Sequence, residues 1–248
     1  MSAIYILWLR EMKRYFRSKA QIIGGLGQPL LYLLALGFGL GPVFQKAGHG
    51  SYLQFLAPGV IGMTVLFSAA FSGIGLLWDR QFGFLKETLV APVPRLYIMI
   101  GRTLGGATTA VMQGLLVLIV CVIAGFRPAS FAAAAAVLPI MALIAIVFCG
   151  LGTALGSRME SMQAFPIVMN FLMMPLFFLS GALFPLDGLP GALKIITSVN
   201  PLSYGVDGLR GALIGATHFG VGLDLAVLAV VAIVFLVLGA YSFSKIQL

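Results

Sequence analysis

Long apolar runs separated by short polar segments make up most of this sequence. Six of the runs reach the length of roughly 20 apolar residues that a helix needs to cross a bilayer. They cover residues 22–41, 55–77, 103–123, 132–155, 164–183 and 221–243. This pattern predicts an all-α integral membrane protein with six transmembrane helices.

Residues 1–20 follow a different pattern, in which apolar and basic side chains recur at helical spacing. One face of the predicted helix carries Ile4, Leu7, Trp8, Met12, Tyr15 and Phe16, and the other carries Arg10, Lys13, Arg14 and Arg17. Such a helix lies in the membrane interface with its basic side chains toward anionic lipid headgroups. It is either an ordinary basic anchor or an elbow helix that also contacts a cytosolic partner, and the two roles are compatible.

The segment 184–220, between the fifth and sixth predicted spans, is semi-apolar and rich in Gly and Pro. It is too short to cross the bilayer twice. Backbone that enters a bilayer without spanning it must have its polar groups satisfied by protein. We therefore expect short re-entrant helices in this segment, which enter the membrane from outside and pack against the spans.

The composition supports a single membrane domain over residues 1–248. Hydrophobic residues make up 60% of the chain and charged residues 9%, whereas soluble domains average about 45–50% apolar and about 25% charged residues. With both termini in the cytosol, 11 of the 15 Lys and Arg residues fall on inner segments, as the positive-inside rule requires. The net charge of +8 is thus a topology signal. We expect no nucleic-acid partner, because that would need a basic face on a water-exposed fold.

The residues needed for catalysis or cofactor binding are missing or poorly placed. The sequence contains no G-x-x-x-x-G-K-[ST] phosphate loop, and its two histidines, His49 and His218, fall in predicted outer loops. Cys121 and Cys149 fall inside predicted spans, where a cysteine usually acts as a small apolar residue. No ionisable residue lies at the middle of a span, and Asp224 lies near the outer end of the sixth, which argues against ion-coupled transport. We expect no catalytic residue, metal or other cofactor in this chain.

Neutral polar residues do occur within the predicted spans. Thr64, Ser68 and Ser72 share one helix face at four-residue spacing, and Asn170 lies in the fifth span with Met173 and Phe177 nearby. Hydroxyls and amides in membrane helices commonly bond to backbone or between helices, and Met and Phe commonly pack. Alternatively, these residues line a weakly polar pathway whose soft apolar wall accepts varied molecules. The residues by themselves leave both interpretations open.

A polar island at residues 78–102 interrupts the apolar pattern between the second and third spans. It reads WDRQFGFLKETLVAPVPRLYIMIGR and carries four basic residues. We expect it to be exposed to water, because lipid cannot solvate such a segment. Pro92 and Pro94 restrict how the chain turns back toward the bilayer. The island is therefore a candidate contact for a cytosolic protein.

Two stretches resemble one protein family. GFLKETLVAPVPR at 83–95 is similar to the cytosolic motif of ABC-2 type permeases, the membrane subunits of one class of ATP-binding-cassette exporters. SGALFPLDGLPGALKIITSVNPLSYGVDGLR at 180–210 resembles the segment before the last span of that family. The six spans, the amphipathic leader and the inner termini agree with the resemblance, which covers essentially the whole chain. It extends to members that export drugs or nodulation-type lipo-oligosaccharides.

The resemblance implies a transport subunit that is not itself an enzyme. Two copies, or one copy and a paralogous permease, would pair in the membrane, each with a cytosolic ABC ATPase that holds ATP and magnesium. The first inner loop would form a coupling helix on the ATPase, with a second inner contact at the end of the fourth span. The expected contact residues are Gln81, Phe84, Leu85, Lys86, Glu87, Thr88, Arg158 and Glu160.

Two further sets of residues receive roles from the resemblance. Pro92, Pro94 and Arg95 would form a stiff link between the coupling helix and the third span. The outer motif would shape an outer gate with Pro185, Asn200, Pro201, Tyr204, Asp207 and Arg210. Asp207 and Arg210 are three residues apart, so on a helix they could pair.

The resemblance implies export of a hydrophobic or amphipathic substrate, such as a drug, lipid or glycolipid, across a bacterial inner membrane. Membrane lipid is the other expected partner. The main alternative is a stand-alone channel or scaffold that needs no ATPase. A membrane enzyme is a further alternative, which the lack of a convergent catalytic set disfavours.

Overall fold

The computed structural model describes residues 3–46, 51–90, 93–186 and 190–245, and every regular element in these ranges is an α-helix. In chain order the helices are α1 (Ala3–Arg17), α2 (Lys19–Lys46), α3 (Tyr52–Phe71), α4 (Ile74–Gln81), α5 (Phe84–Val90), α6 (Arg95–Ile123), α7 (Phe131–Arg158), α8 (Ala164–Phe178), α9 (Gly191–Val199), α10 (Pro201–Ile214) and α11 (Val221–Ser244). The all-α prediction is confirmed for these residues.

Five stretches of the described chain are long and apolar enough to cross a membrane. They are Lys19–Pro42, Tyr52–Gln81, Arg95–Ile123, Ala135–Arg158 and Val221–Ser244. Each coincides with one of the six predicted runs.

The remaining predicted run, 164–183, forms a shorter helix than expected. α8 ends at Phe178 after 15 residues, which is about 22 Å at a rise of 1.5 Å per residue. The apolar core of a bilayer is about 30 Å thick. The chain then turns through Gly181, whose φ is +75°, so the apolar residues that follow do not extend the helix. A sixth span therefore stays a prediction.

The main core surrounds α3. Fourteen of its residues are buried, and it packs against α2, α6, α7, α8 and α10. By contrast, α2 and α11 lie at the periphery, where large apolar side chains such as Phe38 and Val237 are exposed. A helix with an exposed apolar face suits contact with lipid or with another membrane helix.

Pairs of small residues allow helices to approach closely within this chain. A Cβ added to Gly152 would come within 2.3 Å of the carbonyl oxygen of Ala70, and one added to Gly73 within 2.2 Å of the carbonyl oxygen of Gly152. A Cβ on Gly105 would meet the Glu11 side chain at 2.7 Å. These glycines therefore serve contacts of α7 with the α3–α4 turn and of α6 with α1.

A smaller apolar core joins the helices that surround the polar island. Its buried side chains come from α1, α4, α5, α6 and α11 and are Leu7, Leu76, Leu85, Ile98, Met99 and Phe243. α1 lies along α6, so its apolar face is partly covered by protein. This core fixes the positions of the island's two short helices, α4 and α5.

Two short helices, α9 and α10, fill most of the segment 184–220. α10 is largely buried and contributes Leu202, Val206, Leu209 and Leu213 to the main core. α9 is amphipathic, and its apolar residues Ile195 and Ile196 are exposed. α10 packs on α3, α7 and α11, and α9 contacts α10; the entry of these short helices into the bilayer stays a prediction.

Candidate functional site

α5 is a short helix whose charged side chains face outward. The chain reverses direction just before it at Gly83, whose φ of +78° is one that L side chains rarely adopt. Lys86 and Glu87 are exposed. Leu85 is 1% exposed and packs in the smaller core. One buried leucine therefore anchors the helix while its charges remain accessible.

The other residues assigned to the ATPase contact lie at or near the ends of α4, α5 and α7. Gln81 is exposed at the end of α4, and Thr88 is half-buried, with its Oγ1 donating to the Phe84 carbonyl at 2.9 Å. Arg158 is the last residue of α7, and Glu160 follows it; both are exposed. Within the described ranges neither forms an ion pair. Their charges are available to a partner.

The link between α5 and α6 is only partly described. Pro92 lies outside the described residues, whereas Pro94 directly precedes α6 with φ −55° and ψ 133°. Arg95 begins α6, and its Nη1 donates to the carbonyl of Ser244 at 2.6 Å. The start of α6 is thereby joined to the end of α11.

The buried carboxylate of Asp79 binds two arginines that come from different helices. Asp79, at the end of α4, is 4% exposed. It accepts from Arg10 Nη1 at 3.1 Å and from Arg10 Nη2 at 2.7 Å, which is a bidentate pair. Arg102 of α6 donates to the Oδ2 atom of the same carboxylate. We call Arg10, Asp79 and Arg102 the arginine cluster.

The arginine cluster corrects the expectation that the whole polar island faces water. The side chains of Asp79 and Arg102 are only 5% and 9% exposed, because α1 covers them. A buried charge is tolerated when it is paired and hydrogen-bonded. Asp79 and Arg102 are therefore part of the interior, whereas Lys86 and Glu87 of α5 and Arg95 at the start of α6 are exposed.

Arg10 also contacts the coupling-helix candidate directly. Its guanidinium carbon lies 3.8 Å from the centroid of the Phe84 ring, a distance typical of a cation–π contact. The hydrogen bonds to Asp79 raise the pKa of Arg10 above its already high ordinary value, so it stays charged. Arg10 therefore connects α1, α4 and α5, while Arg102 extends the connection to α6.

Hydrogen bonds fasten α1 to the spans on either side. Trp8 Nε1 donates to Thr108 Oγ1 of α6 at 3.1 Å. The hydroxyl of Tyr15 donates to Gln113 Oε1 at 2.6 Å, and Gln113 Nε2 donates to the carbonyl of Ile22 at 3.1 Å. Burial raises the pKa of Tyr15, which keeps it a neutral donor. The buried side-chain amide of Gln113 in α6 thus binds both α1 and α2.

A cavity of about 550 Å³ opens beside this junction. Its walls come from α1, α2, α3, α4, α6 and α8. Among its lining residues are Thr64, Ser68, Ser72 and Asn170 from the proposed pathway. The volume lies in the range of roughly 300–1,000 Å³ that is usual for small-molecule sites.

Met173 and Phe177 do not line the cavity. Both are fully buried in the main core, so they support the fold and do not form a pathway wall in this structure. The cavity is also lined by polar side chains that were not among the predicted pathway residues. They are Glu11, Arg14, Tyr15, Gln21, Gln28, Thr109 and Gln113. Gln28, Thr109 and Gln113 are neutral polar residues within predicted apolar runs, which is the sequence signal for this extension.

The residues that resemble the family's outer motif form an ordered turn between α9 and α10. Asn200 caps α10, with its Oδ1 accepting from the Leu202 amide at 3.0 Å. Its Nδ2 donates to the carbonyl of Leu176 at 2.7 Å, which ties the turn to α8. Pro201 occupies the first helical position, where the missing N–H costs nothing.

The remaining outer residues contact loops. The Tyr204 hydroxyl donates to the carbonyl of Ser198 at 2.7 Å, and its ring stacks on Phe219 at 4.7 Å. The carboxylate of Asp207 accepts from the amides of His218, at 2.8 and 2.9 Å, and Phe219, at 2.7 Å.

Arg210 has its own contacts and forms no ion pair with Asp207 among the described residues. Its Nη2 donates to the carbonyl of Gly181 at 3.0 Å, and its guanidinium lies over the Phe55 ring at 4.2 Å. The pairing that the spacing allowed is therefore absent here. Pro185 is half-buried in the loop after α8.

Comparison with known proteins agrees with this arrangement. The family model described as "ABC-2 type transporter" matches residues 2–214. This chain belongs to the ABC-2 type transporter family. "Nodulation protein J" of Rhizobium leguminosarum bv. viciae is 30% identical over 92% of this chain and 90% of its own length. The ycf38 protein of Porphyra purpurea, named as a candidate transport permease, is 32% identical over 81% of this chain and 70% of its own length.

Membership in the ABC-2 family makes the chain a membrane transport permease subunit and not a catalytic enzyme. The five long apolar helices found among the described residues are consistent with a multi-pass membrane protein. ABC-2 permeases generally work with a cytosolic ABC ATPase. In this family member, α5 is the candidate contact for such a partner.

Proposed function

We propose that this ABC-2 permease exports a hydrophobic or amphipathic substrate, using ATP hydrolysed by a separate ATPase subunit. The main support for the proposal is the way in which α5 is attached to the rest of the protein. Lys86 and Glu87 are exposed on α5, while Leu85 and Phe84 attach it to the smaller core and to Arg10. A docking surface needs directional polar contacts around a buried anchor. α5 has this combination.

The arginine cluster is the proposed route by which movement of α5 reaches the spans. Arg10 contacts both Phe84 and Asp79, and Asp79 is bound in turn by Arg102 of α6. Since Asp79 and Arg102 are buried and paired, the members of the cluster move together or lose their hydrogen bonds at high cost. A displacement of α5 is therefore passed to α1 and α6 and is not absorbed locally.

The cavity is the proposed substrate path in each subunit. Its hydroxyl and amide groups lie among apolar side chains such as Met63 and Phe67. Glu11 and Arg14 contribute charges from α1. Walls of mixed polarity suit a molecule with a polar group and an apolar body, such as a drug, lipid or glycolipid. Four of the residues inferred earlier to line a pathway contribute to this wall.

The proposed working unit contains two permease subunits and two ATPase subunits in a bacterial inner membrane. The second permease is another copy of this chain or a paralogue. The termini, α1 and α5 face the cytosol, and the α9–α10 segment shapes an outer gate. ATP and magnesium bind to the ATPase, whose closure draws the two α5 helices together and favours the outward-open arrangement.

The proposal is tested by purifying the tagged chain from its native membrane in mild detergent. We expect a stoichiometric soluble ATPase to copurify, with ATP hydrolysis that amphipathic compounds stimulate. The variant Lys86→Gln removes one exposed charge from α5 and should weaken the association several-fold. Lys194→Gln removes an equally exposed charge from α9 and should leave the association unchanged.

A chain that purifies alone, from membranes without ATP-dependent efflux, would contradict ATP coupling and favour a channel or scaffold. Equal ATPase association in the Lys86→Gln and Lys194→Gln proteins would contradict the assignment of α5 as the docking helix. The first result tests the function, and the second tests only the contact. The two failures are therefore distinguishable.

A further inference from the structure

The outer face of α1 forms an apolar groove with α6. The groove has a volume of about 570 Å³, and its lining comes only from these two helices. The lining residues are Trp8, Leu9, Met12, Lys13, Phe16, Arg17, Thr108 and Met112. It is separate from the polar cavity, which takes Glu11, Arg14 and Tyr15 from other faces of α1.

The basic residues of α1 fall into two structural classes. Arg10 is held by Asp79, and Arg14 lies 3.7 Å from Glu11. Lys13 and Arg17 are exposed, and within the described part of the chain neither is paired with a carboxylate. They are four residues apart and therefore share one face of the helix. Both border the apolar groove.

The groove is held in shape by the protein. Trp8, which forms part of its wall, is fixed by the hydrogen bond from its Nε1 to Thr108 at 3.1 Å. Met12 is 6% exposed and packs beneath the same face. Phe16 is 59% exposed and offers apolar surface beside Arg17. A preformed apolar slot bordered by two cations is complementary to a molecule with an anionic group and an apolar chain.

We propose that this groove binds one anionic phospholipid. The acyl chain lies along Trp8, Met12 and Met112, and the phosphate group is held by Lys13 and Arg17. Lys13 and Arg17 favour an anionic lipid, because a zwitterionic headgroup carries a positive charge that the two cations would repel. Each basic residue near a membrane surface contributes appreciably to anionic-lipid attraction, and both are available here. The proposal rests on the inner location of α1 given under the proposed function.

Tryptophan fluorescence provides a direct test, since the chain contains only two tryptophans. The variant Trp78→Phe leaves Trp8, which lines the groove, as the single tryptophan. The purified full-length variant in detergent is titrated with brominated phosphatidylglycerol or brominated phosphatidylcholine. We expect half-maximal quenching of Trp8 at a roughly tenfold lower concentration of the anionic lipid.

Two charge variants in the same background distinguish a site from general surface attraction. Lys13→Gln with Arg17→Gln should abolish the preference for phosphatidylglycerol. Lys19→Gln with Arg80→Gln also removes two positive charges, but neither residue lines the groove, so the preference should persist. Equal quenching by both lipids in the parent protein, or equal loss in the two variants, would overturn the proposal.

The lipid assay needs no ATPase, so failure of the lipid site and failure of the proposed ATP coupling are distinguishable. Copurification of the ATPase is measured with the Lys13→Gln, Arg17→Gln protein as a second readout, and we expect it to be unchanged. Loss of the ATPase with the lipid preference intact would assign Lys13 and Arg17 to a protein contact and overturn the lipid site.

Discussion

At the scale of single residues, two buried aspartates occupy opposite environments. Asp207 uses both carboxylate oxygens to accept from the amides of His218 and Phe219. Asp224 is fully buried in the first turn of α11, and neither of its oxygens has a hydrogen-bond partner. An unpaired buried charge is costly, whereas a hydrogen-bonded one is tolerated. The same substitution should therefore have opposite effects at the two positions.

We expect Asp207→Asn to lower the melting temperature of the purified protein, because the amide NH₂ would face backbone donors. The loss corresponds to about 1–3 kcal/mol for unsatisfied buried groups. Asp224→Asn should maintain or raise the melting temperature, because a neutral amide of similar size replaces an unpartnered carboxylate. Thermal unfolding in detergent compares the two proteins. A clear fall with Asp224→Asn would show that its negative charge has a stabilising partner in the membrane.

Asp79 is the residue on which the arginine cluster depends. Replacing it by Asn leaves Arg10 and Arg102 without their shared counter-charge. Removing one partner of a buried ion pair costs about 3–5 kcal/mol, and the partial exposure of Arg10 reduces this figure. We expect a lower melting temperature and loss of substrate-stimulated ATP hydrolysis by the assembled transporter.

The exposed Glu160 supplies the control for Asp79. Glu160→Gln also removes one negative charge but breaks no described ion pair, so its melting temperature should equal that of the parent. Equal stability of the Asp79 and Glu160 variants would mean that the arginine cluster contributes nothing to the fold.

At the scale of elements, the turn between α4 and α5 sets the direction of the candidate coupling helix. Gly83 provides this turn with a φ of +78°. A Cβ at this position would meet nothing within 4 Å, so any effect of substitution there is conformational. The direction of α5 therefore depends on a local backbone preference as well as on the burial of Leu85.

Gly83→Ala should cost about 1–2 kcal/mol, and we expect the cost to appear as local opening of α5. Amide hydrogen exchange over residues 84–90 should be faster than in the parent protein. Gly191→Ala is the matched control, because its Cβ would also meet nothing within 4 Å and its φ lies outside the positive range. Unchanged exchange in α5 would indicate that tertiary contacts alone hold the helix.

At the scale of the whole molecule, polar groups from five helices converge on a single cavity of about 550 Å³. Ser68 contributes from α3, and Asn170 contributes from α8, about a hundred residues further along the chain. The cavity lies next to the junction where α1 is tied to α6 through Gln113. Movement of α1 would therefore change the cavity directly.

We expect Ser68→Phe to fill part of the cavity and to reduce efflux and substrate-stimulated ATP hydrolysis at least tenfold. Copurification of the ATPase should persist, because Ser68 lines the cavity and none of the residues assigned to the ATPase contact does. Val237→Phe, at an exposed position of the peripheral helix α11, should leave transport unchanged. Full transport by the Ser68→Phe protein would exclude this cavity as the substrate path.

Sequence patterns located most helices but few of the contacts that form the candidate site. The length and hydropathy of the apolar runs anticipated five of the long helices, since both properties are local. Asp79 was expected in water, because nothing near it in sequence reveals that Arg10, 69 positions away, covers it. The contact residues on α5 were assigned through the family resemblance, and their binding partner is still a proposal.

The sequence by itself determined that this protein is helical, predominantly apolar and begins with an amphipathic segment, because hydropathy and helical periodicity depend on neighbouring residues. Only the tertiary structure decided which basic residues of α1 are neutralised internally, as Arg10 is, and which remain available, as Lys13 is. It also decided that α8 ends at Phe178 and that Met173 is core and not cavity wall. These outcomes depend on packing between segments far apart in the chain, where burial and ion pairing are set by which faces meet.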